Sequence, residues 1–357
     1  MTSSARDVST MSLPELCRAE LELCGIGEGS TVAVLSQGDD RRAYVDAMLA
    51  ASEDLGATAF QVRLNNRLST LDGDEGVWAV GATPLAGNRP AIEALKQVDL
   101  VVDTIFLLFS PEQLEIQASG TRILLCIEPV EHLREMFPDR TLRERVEAGA
   151  EMLGNAAKLR FTNEAGSDVT YDLGAYPVIT QYGYTDTPGR WDHWPSGFLF
   201  TGGADDGVNG KVVIAPGDIV FPFKSYVRSP IELTIESGRI QDVRGPGLDA
   251  DLFRDYMEGF RDPDAYGIAH IGWGMLETAK WGVLAYDRRG MGMHGRSFYG
   301  NVLFSTGPNG ELGGTNETLC HIDVPMRNCS LYLDDEPIVV DGDIVVDGVR
   351  SSRSLAA

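Results

Sequence analysis

Short apolar runs alternate with amphipathic stretches over the first 155 residues. The β-branched run at 31–36 ends in Gly38-Asp39-Asp40 and is followed by a helical pattern over 41–55, which Gly56 terminates. The same alternation continues with strand patterns at 59–64, 100–105 and 122–127 and helical patterns at 90–97, 111–118 and 142–153. It predicts a doubly wound parallel sheet with helices on both faces.

From about residue 156 the pattern changes to short strands separated by tight turns. Strand patterns at 159–162 and 169–173 flank a turn and predict a β-hairpin. Further strands are predicted at 211–215, 219–222 and 231–236, with one helix at 250–260. We therefore expect two domains, an α/β domain over 1–155 and a mixed, mostly antiparallel α+β domain over 156–357.

The charge of the chain argues against several classes of partner. With 30 basic and 53 acidic residues, the formal net charge is -23, which would repel nucleic-acid phosphates and anionic membrane surfaces. No apolar run approaches the length of a membrane span and the polar start does not resemble a secretory signal, so we expect a cytoplasmic protein. The five cysteines are scattered and odd in number, which predicts reduced thiols.

Candidate metal ligands occur in the second predicted domain. His321 and Asp323 are two residues apart with apolar neighbours, so on a strand both side chains point to the same face. Together with His270 they make two histidines and one carboxylate, the ligand set of non-haem Fe(II) sites that keep positions open for oxygen and substrate. The spacing by itself is also typical of a strand-surface pair or a His–Asp hydrogen bond without a metal.

The chain has five histidines, so the other three are the remaining candidates for acid–base chemistry near neutral pH. His193 lies between Trp191 and Trp194, and aromatic groups beside a histidine suit a pocket that stacks a flat ring. A buried histidine that fixes a loop through a hydrogen bond would give the same pattern. We expect His132, in a helical segment, to be a solvated surface residue, and His294, in a glycine-rich loop, to be a surface or lid residue.

Longer motifs resemble those of the 2,5-dihydroxypyridine 5,6-dioxygenases, the ring-opening enzymes of bacterial nicotinate and picolinate breakdown. Those motifs include Gln-Tyr-Gly-Tyr at 181–184, Pro-Gly-Arg-Trp-Asp-His-Trp-Pro-Ser-Gly at 188–197, Tyr-Gly-Ile-Ala-His-Ile-Gly-Trp-Gly at 266–274 and Cys-His-Ile-Asp at 320–323. The similarity extends over nearly the whole chain. It implies that His270, His321 and Asp323 are iron ligands, in agreement with the spacing.

The resemblance implies an Fe(II)-dependent dioxygenase that cleaves a hydroxylated nitrogen-heteroaromatic ring with O2. If the substrate is 2,5-dihydroxypyridine, it implies N-formylmaleamate as the product, and it also implies a homo-oligomer. We expect His193 to be the base that removes the hydroxyl proton, because an imidazole titrates near working pH. The expected substrate contacts are Leu108, Phe109, Gln181, Trp191, Trp194 and Ser305.

Two positions depart from the dioxygenase pattern. The chain has Phe109 and Gln181 where a histidine and a glutamate are expected. Neither phenylalanine nor glutamine exchanges a proton near neutral pH, and a positioned acid or base is worth on the order of a hundred- to ten-thousand-fold in rate. We therefore expect either 2,5-dihydroxypyridine or a closely related ring as the substrate.

The scaffold is also similar to a family of two-metal aminopeptidases, which supplies an alternative function. One metal-binding glutamate of that family falls at Phe198 and another at His270, whereas His321 and Asp323 match. A phenylalanine cannot bind a metal, so the substitutions favour a site for one metal. A metal-dependent aminopeptidase and a non-catalytic ligand-binding protein on this scaffold are the two alternatives.

Overall fold

The structure is a computed structural model and describes residues 8–65, 81 and 83–351. Its helices in chain order are α1 (Leu13–Leu23), α2 (Arg42–Asp54), α3 (Arg89–Leu95), α4 (Pro111–Ala118), α5 (Val130–Glu135), α6 (Arg140–Asn155), α7 (Leu248–Gly259) and α8 (Met293–Arg296). Short 3-10 segments occupy Val8–Thr10, Pro263–Tyr266, Trp281–Ala285 and Gly310–Leu312.

The strands are short and lie mostly in the second half of the chain. In chain order they are β1 (Thr31–Gln37), β2 (Thr58–Leu64), β3 (Leu100–Asp103), β4 (Arg122–Cys126), β5 (Lys158–Asn163), β6 (Asp168–Asp172), β7 (Ile179–Gln181), β8 (Trp191–Trp194), β9 (Phe198–Thr201), β10 (Val208–Ile214), β11 (Ile219–Val220), β12 (Ser225–Tyr226), β13 (Ile231–Glu236), β14 (Arg239–Arg244), β15 (Ile268–Gly274), β16 (Val302–Thr306), β17 (Ile322–Met326), β18 (Cys329–Leu333), β19 (Glu336–Val340) and β20 (Asp343–Ile344).

The chain divides into two compact units, and neither is a single continuous segment. The first comprises Met1–Asp139, Tyr182–Ser196 and Arg289–Met291, and the second comprises Arg140–Gln181, Gly197–Arg288 and Gly292–Ala357. As a division into domains, the limits predicted from the sequence, 1–155 and 156–357, stay a prediction.

A parallel sheet of five strands, in the order β2-β1-β3-β4-β8, organises the first unit. Strands β1 and β3 are buried along nearly their whole length, as is typical of a sheet that helices cover on both faces. The strand order reverses direction between β1 and β3, and ligands of such sheets bind beyond the carboxyl ends of the strands. The predicted doubly wound sheet is confirmed.

The loop after β3 leads into a helix with a well-defined start. Helix α4 occupies the predicted residues 111–118, and it begins where the Ser110 hydroxyl oxygen accepts a hydrogen bond from the Gln113 amide. Pro111 occupies the first turn, where its missing N–H costs nothing. This start fixes the end of the segment that carries the predicted contacts Leu108 and Phe109.

The second unit contains antiparallel sheets, as predicted for this part of the chain. One sheet has eight strands, in the order β14-β13-β10-β6-β5-β18-β19-β20, and another has five, in the order β17-β16-β15-β9-β7. Strands β15, β16 and β17 of the five-stranded sheet are buried along their whole length. This five-stranded sheet carries the predicted metal ligands.

The five cysteines are all buried, and none of them takes part in a disulfide. Burial raises the pKa of the Cys17 thiol to about 12, so that this thiol is protonated at neutral pH. In the part of the chain that the structure describes, no helix is both long and apolar enough to cross a membrane.

Candidate metal centre

Adjacent strands of the five-stranded sheet position the three candidate ligands. His270 lies in β15 where a bulge shifts the pairing of that strand with β16, and bulges commonly redirect a side chain. Asp323 lies in β17 directly opposite Ser305 of β16. His321 immediately precedes β17, so the two-residue spacing brings its imidazole next to the carboxylate.

The imidazoles converge on one carboxylate oxygen. Nε2 of His270 and Nε2 of His321 each lie 3.3 Å from Oδ1 of Asp323. One candidate ligand atom from each of the three residues lies within 4.8 Å of the others, and no other such group of three His, Cys, Asp or Glu side chains exists among residues 8–65, 81 and 83–351. The structure therefore brings the three predicted residues together.

The charged groups of the site shift the pKa values of their neighbours towards the charged forms. Burial alone would raise the pKa of Asp323, but the charges of His321 and Arg296 hold the pKa of this carboxyl well below its ordinary value. Burial would likewise lower the pKa of His321, yet the neighbouring Asp323 carboxylate raises it above the ordinary value. The carboxylate is thus ionised and faces two groups that can bind either a proton or a metal.

An unpaired carboxylate oxygen shows that these residues fit a metal ion. Oδ1 of Asp323 is buried and lacks a hydrogen bond of good geometry to any described residue, and Nε2 of each histidine lies 3.3 Å from it. An unsatisfied buried polar group costs about 1–3 kcal/mol, and more when it is charged. A divalent cation bound by both Nε2 atoms and by Oδ1 would compensate the carboxylate charge, and this donor set with open positions suits non-haem Fe(II). The side chain of His321 is 20% exposed, so the group is not sealed from solvent.

Two phenylalanines extend along the sheet from His270. The ring centroid of Phe200 lies 4.6 Å from that of His270, and the ring of Phe198 stacks on Phe200 at 5.9 Å with an interplanar angle of 27°. Gln181 of β7 pairs directly with Phe198 of β9, so the two side chains share one face of the sheet. Gln181 is buried, and its Oε1 has no hydrogen-bond partner within the described chain. An apolar wall therefore runs from the candidate ligands towards an unpaired amide oxygen.

Ser305, a predicted substrate contact, lies beside the candidate metal ligands. Its pairing with Asp323 in the antiparallel ladder places both side chains on the same face of the sheet. The Ser305 hydroxyl is fully buried and has no hydrogen-bond partner among the described residues. It is thus available to a small molecule bound next to the three ligands.

Three of the predicted residues of the first unit lie close together. The ring centroids of Trp191 and His193, two residues apart in β8, are 6.3 Å apart. Trp191 and Leu108 both pack against one apolar cluster, which consists of Phe106, Leu125 and Ile127. The structure therefore brings Leu108 and Trp191 to one apolar cluster and places His193 beside Trp191.

The other two predicted contacts of this unit have different surroundings. Trp194 is fully buried and packs edge-on against Phe137 at 6.0 Å, and the alternation of β8 directs it away from His193. Phe109 is partly buried in the left-handed backbone region, with φ of 58°, and its amide donates to Oε1 of Gln113. Their roles as substrate contacts stay predictions.

A buried carboxylate that the sequence analysis missed lies next to His193. Oε1 of Glu128 is 3.9 Å from Nε2 of His193 and accepts a hydrogen bond from the Met291 amide at 2.8 Å. Its Oε2 lies 3.3 Å from Nδ1 of His132. Burial would raise the pKa of Glu128, but the hydrogen bond of His132 and the charges of the two imidazoles lower it. Glu128 is therefore an ionised side chain between two histidines.

The predictions for two histidines are wrong. His132 is only 6% exposed, because it packs against Glu128 and does not face solvent. His294 is 4% exposed, and its Nδ1 accepts a hydrogen bond from the Lys280 amide, so it is an interior residue. Glu128 lies only four residues before His132, but its carboxylate would not by itself indicate burial, and the Lys280 amide lies 14 residues before His294.

Comparison with known proteins agrees with the geometry of the site. A family model described as 2,5-dihydroxypyridine 5,6-dioxygenase matches residues 12–346. The chain belongs to this family. The 2,5-dihydroxypyridine 5,6-dioxygenase of Pseudomonas putida KT2440 is 46% identical over 350 residues, which cover 97% of this chain and 99% of that protein. The resemblance inferred from the motifs is confirmed.

Solved structures extend the comparison to the fold of this dioxygenase-family chain. The structure of the Pseudomonas putida KT2440 2,5-dihydroxypyridine dioxygenase superposes with a TM-score of 0.90 at 45% identity, covering 95% of this chain and 98% of that one. Wild-type AmpT from Thermus thermophilus superposes with a TM-score of 0.63 at 13% identity, over 94% and 99% of the two chains, and this shows a shared fold alone. As a member of the dioxygenase family, the chain is an enzyme of the oxygenase class.

Proposed function

We propose that the chain is a non-haem Fe(II) dioxygenase that opens a hydroxylated nitrogen-heteroaromatic ring. The observation that carries the proposal is the convergence of His270, His321 and Asp323 on one point in a member of this family. Fe(II), when bound there, would supply the redox chemistry through which O2 reacts with an electron-rich ring. The substrate would be 2,5-dihydroxypyridine, the compound in the name of the Pseudomonas relative, or a close analogue.

The residues beside the candidate ligands suit a flat, polar-edged ring. Phe198 and Phe200 would bind the ring faces and exclude water from the adjacent space. Oε1 of Gln181 would accept a hydrogen bond from a ring hydroxyl or ring N–H, and the Ser305 hydroxyl would bond to a substrate oxygen. The side chain of Phe198 is a hydrocarbon and has no atom that can bind a metal ion. It therefore cannot help to hold a second metal, which favours one metal for each chain.

We propose His193 as the base that takes the proton from a ring hydroxyl. The ionised Glu128 carboxylate beside it would stabilise the imidazolium that forms when the proton arrives. Leu108 and Trp191, which share one apolar cluster near His193, are proposed as substrate contacts together with Phe109 and Trp194. The resemblance further leads us to propose a homo-oligomer.

Oxygen consumption tests the reaction directly. Anaerobically purified protein, reconstituted with Fe(II), would be mixed with individual hydroxypyridines and hydroxypicolinates in an oxygen electrode, with metal-free protein as the control. Uptake of one O2 for each ring lost from the absorbance spectrum is the expected result for at least one compound. Hydrolysis of peptides without oxygen, accompanied by two metals for each chain, would contradict the proposal and support the aminopeptidase alternative.

A further inference from the structure

We propose that Arg296 is a positioning residue that keeps Asp323 a one-oxygen metal ligand. By occupying the second carboxylate oxygen, Arg296 would leave one more position on the metal open to substrate or O2. This inference rests on the metal site of the proposed function. It concerns how many positions that site leaves open, which the identity of the three ligands does not determine.

The two oxygens of Asp323 face different partners. Oδ1 lies 3.3 Å from Nε2 of both His270 and His321. Oδ2 accepts a hydrogen bond of 2.7 Å from Nε of Arg296, and both side chains are largely buried, with exposures of 14% and 6%. A short hydrogen bond between charged groups in a buried setting is among the strongest available to a side chain. Oδ2 is therefore committed to Arg296, while Oδ1 points at the candidate metal position.

The guanidinium of Arg296 is itself held in place from its other side. It lies over the ring of Phe221, 4.1 Å from the ring centroid. The backbone of Phe221 also belongs to the site, because its amide donates to the Asp323 carbonyl oxygen at 2.9 Å. A Cβ on Gly292 would lie 2.1 Å from the Phe221 ring, so only glycine allows the ring this position. One residue, Phe221, thus fixes both the arginine and the strand that carries the aspartate.

The backbone of Arg296 is fixed as well. Nδ2 of Asn301 donates hydrogen bonds to the carbonyl oxygens of Gly295 and Arg296, at 2.7 Å and 3.1 Å. In the local sequence, the only sign of the contact between Arg296 and Asp323 is a charged residue at the end of α8. Ring, carboxylate and amide contacts together give the Arg296 side chain one defined position.

The position matters because a carboxylate can bind a metal through one oxygen or two. An octahedral ion with two imidazoles and one carboxylate oxygen keeps three positions open, whereas a second carboxylate oxygen would occupy one of them. A ring that binds through two atoms, together with O2, requires all three. Arginine suits this role because its guanidinium keeps its proton even beside a divalent cation.

Water exchange on bound Mn(II) tests the proposal without substrate or O2. The proton relaxation rate of water reports how many water molecules the bound Mn(II) carries. We expect Arg296→Gln to bind Mn(II) but to lower the relaxation enhancement by roughly a third, because the freed Oδ2 replaces one of three waters. The matched control is Arg327→Gln, which removes a guanidinium that lies 5.2 Å from the ring centroid of Trp281.

An enhancement in Arg296→Gln equal to that of the wild type would overturn the proposal. A folded Arg296→Gln protein that binds no Mn(II) would also overturn the proposal. Arg296 would then be needed for metal binding itself, and not only to restrict Asp323 to one metal-binding oxygen. If Arg296→Gln does not fold, Phe221→Leu keeps the arginine but removes the ring beneath it. The enhancement in Phe221→Leu should then be lower than that of the wild type, and an unchanged value would again contradict the proposal.

Mn(II) relaxation and oxygen consumption, measured on the same proteins, separate this inference from the proposed function. A wild-type chain that binds one Mn(II) but consumes no oxygen on any ring would contradict the dioxygenase proposal and leave the role of Arg296 open to the relaxation test. A wild-type chain that binds no Mn(II) and no Fe(II) would overturn both. Oxygen consumption together with an unchanged relaxation enhancement in Arg296→Gln would overturn only the role of Arg296.

Discussion

Oε1 of Glu128 lies 3.9 Å from Nε2 of His193, and the two side chains are 0% and 5% exposed. The other carboxylate oxygen is turned towards His132. The ionised carboxylate would stabilise the positive charge of an imidazolium, so this arrangement suits a histidine that receives a proton during turnover. The pair was not foreseen, because Glu128 follows β4 and His193 lies in β8, 65 positions further along the chain.

Replacing His193 tests its role as a base. We expect His193→Ala to retain the metal and to lower kcat by about 10²- to 10⁴-fold, the usual worth of a positioned base. The loss should be largest at low pH, where the substrate hydroxyl keeps its proton. Oxygen uptake measured across pH, together with metal analysis, checks both statements.

His132→Gln is the matched control for His193→Ala. It removes the other imidazole that faces Glu128 and leaves His193 in place. A much smaller loss of kcat is expected. If His193→Ala lost its metal, or lost no more activity than His132→Gln, the assignment of His193 as the base would be wrong.

Replacing a proposed metal ligand tests the affinity of the protein for its metal. Removing an outer partner of a metal ligand typically costs 10–100-fold in affinity, so removing a ligand, as in His321→Ala, should cost at least about 100-fold. Turnover should disappear together with the metal. Competition with a chromophoric chelator measures the affinity, and His294→Gln, at a buried histidine bonded to the Lys280 amide, serves as the control. Full activity in His321→Ala would contradict the ligand assignment.

Local periodicity predicted the parts of the structure that depend on neighbours along the chain. The two-residue spacing of His321 and Asp323 was sufficient to predict adjacent side chains, because a strand repeats every two residues. Helix α4 was predicted with its observed limits, since Ser110 and Pro111 mark its start within the sequence itself. These features need no information from distant segments.

Features that depend on distant segments were missed. Strand β8 pairs in parallel with β4 across a long intervening segment, and nothing within the four residues Trp191–Trp194 identifies that partner. His132 was expected at the surface because its own helix is polar, whereas the distant Gly290 lies so close that a Cβ there would be 2.8 Å from Nδ1 of His132. Arg296 is a lone charge after a glycine, and only the fold brings it to Asp323.

Restoring the two departing positions tests what they do to substrate choice. We expect Phe109→His with Gln181→Glu to raise kcat/KM on 2,5-dihydroxypyridine, because both new groups can exchange a proton near neutral pH. The expected gain is about tenfold or more if the natural substrate is a different ring. Oxygen uptake with the same hydroxypyridines and hydroxypicolinates measures this gain, and each single variant is the control for the double variant. An unchanged preference would show that these positions do not select the substrate.

Asp103 closes β3 and organises the segment that follows it. Its carboxylate accepts hydrogen bonds from the amides of Ile105, Phe106 and Leu107 at 2.8, 3.0 and 2.7 Å. The next two residues are the proposed substrate contacts Leu108 and Phe109. A fully buried carboxylate therefore shapes a loop at the carboxyl end of the parallel sheet.

Burial also makes Asp103 a source of pH-dependent stability. It raises the pKa of Asp103 from 3.8 to about 6, although the three amide hydrogen bonds oppose the increase. Because the folded state binds the proton more tightly than the unfolded state, this group contributes stability below about pH 4 that is lost as the pH rises through 6. For a shift of this size the loss is roughly 3 kcal/mol.

Asp103→Asn should remove this titration. The variant will be less stable than the wild type at low pH, because an amide cannot accept the Leu107 hydrogen bond with its nitrogen. The gap should narrow as the pH rises from 4 to 7, since only the wild type loses the Asp103 contribution. Calorimetric unfolding of both proteins across this range, with Asp99→Asn as an exposed control before the same strand, measures the gap. A gap that widened with pH would show that the amide hydrogen bonds outweigh burial at this carboxylate.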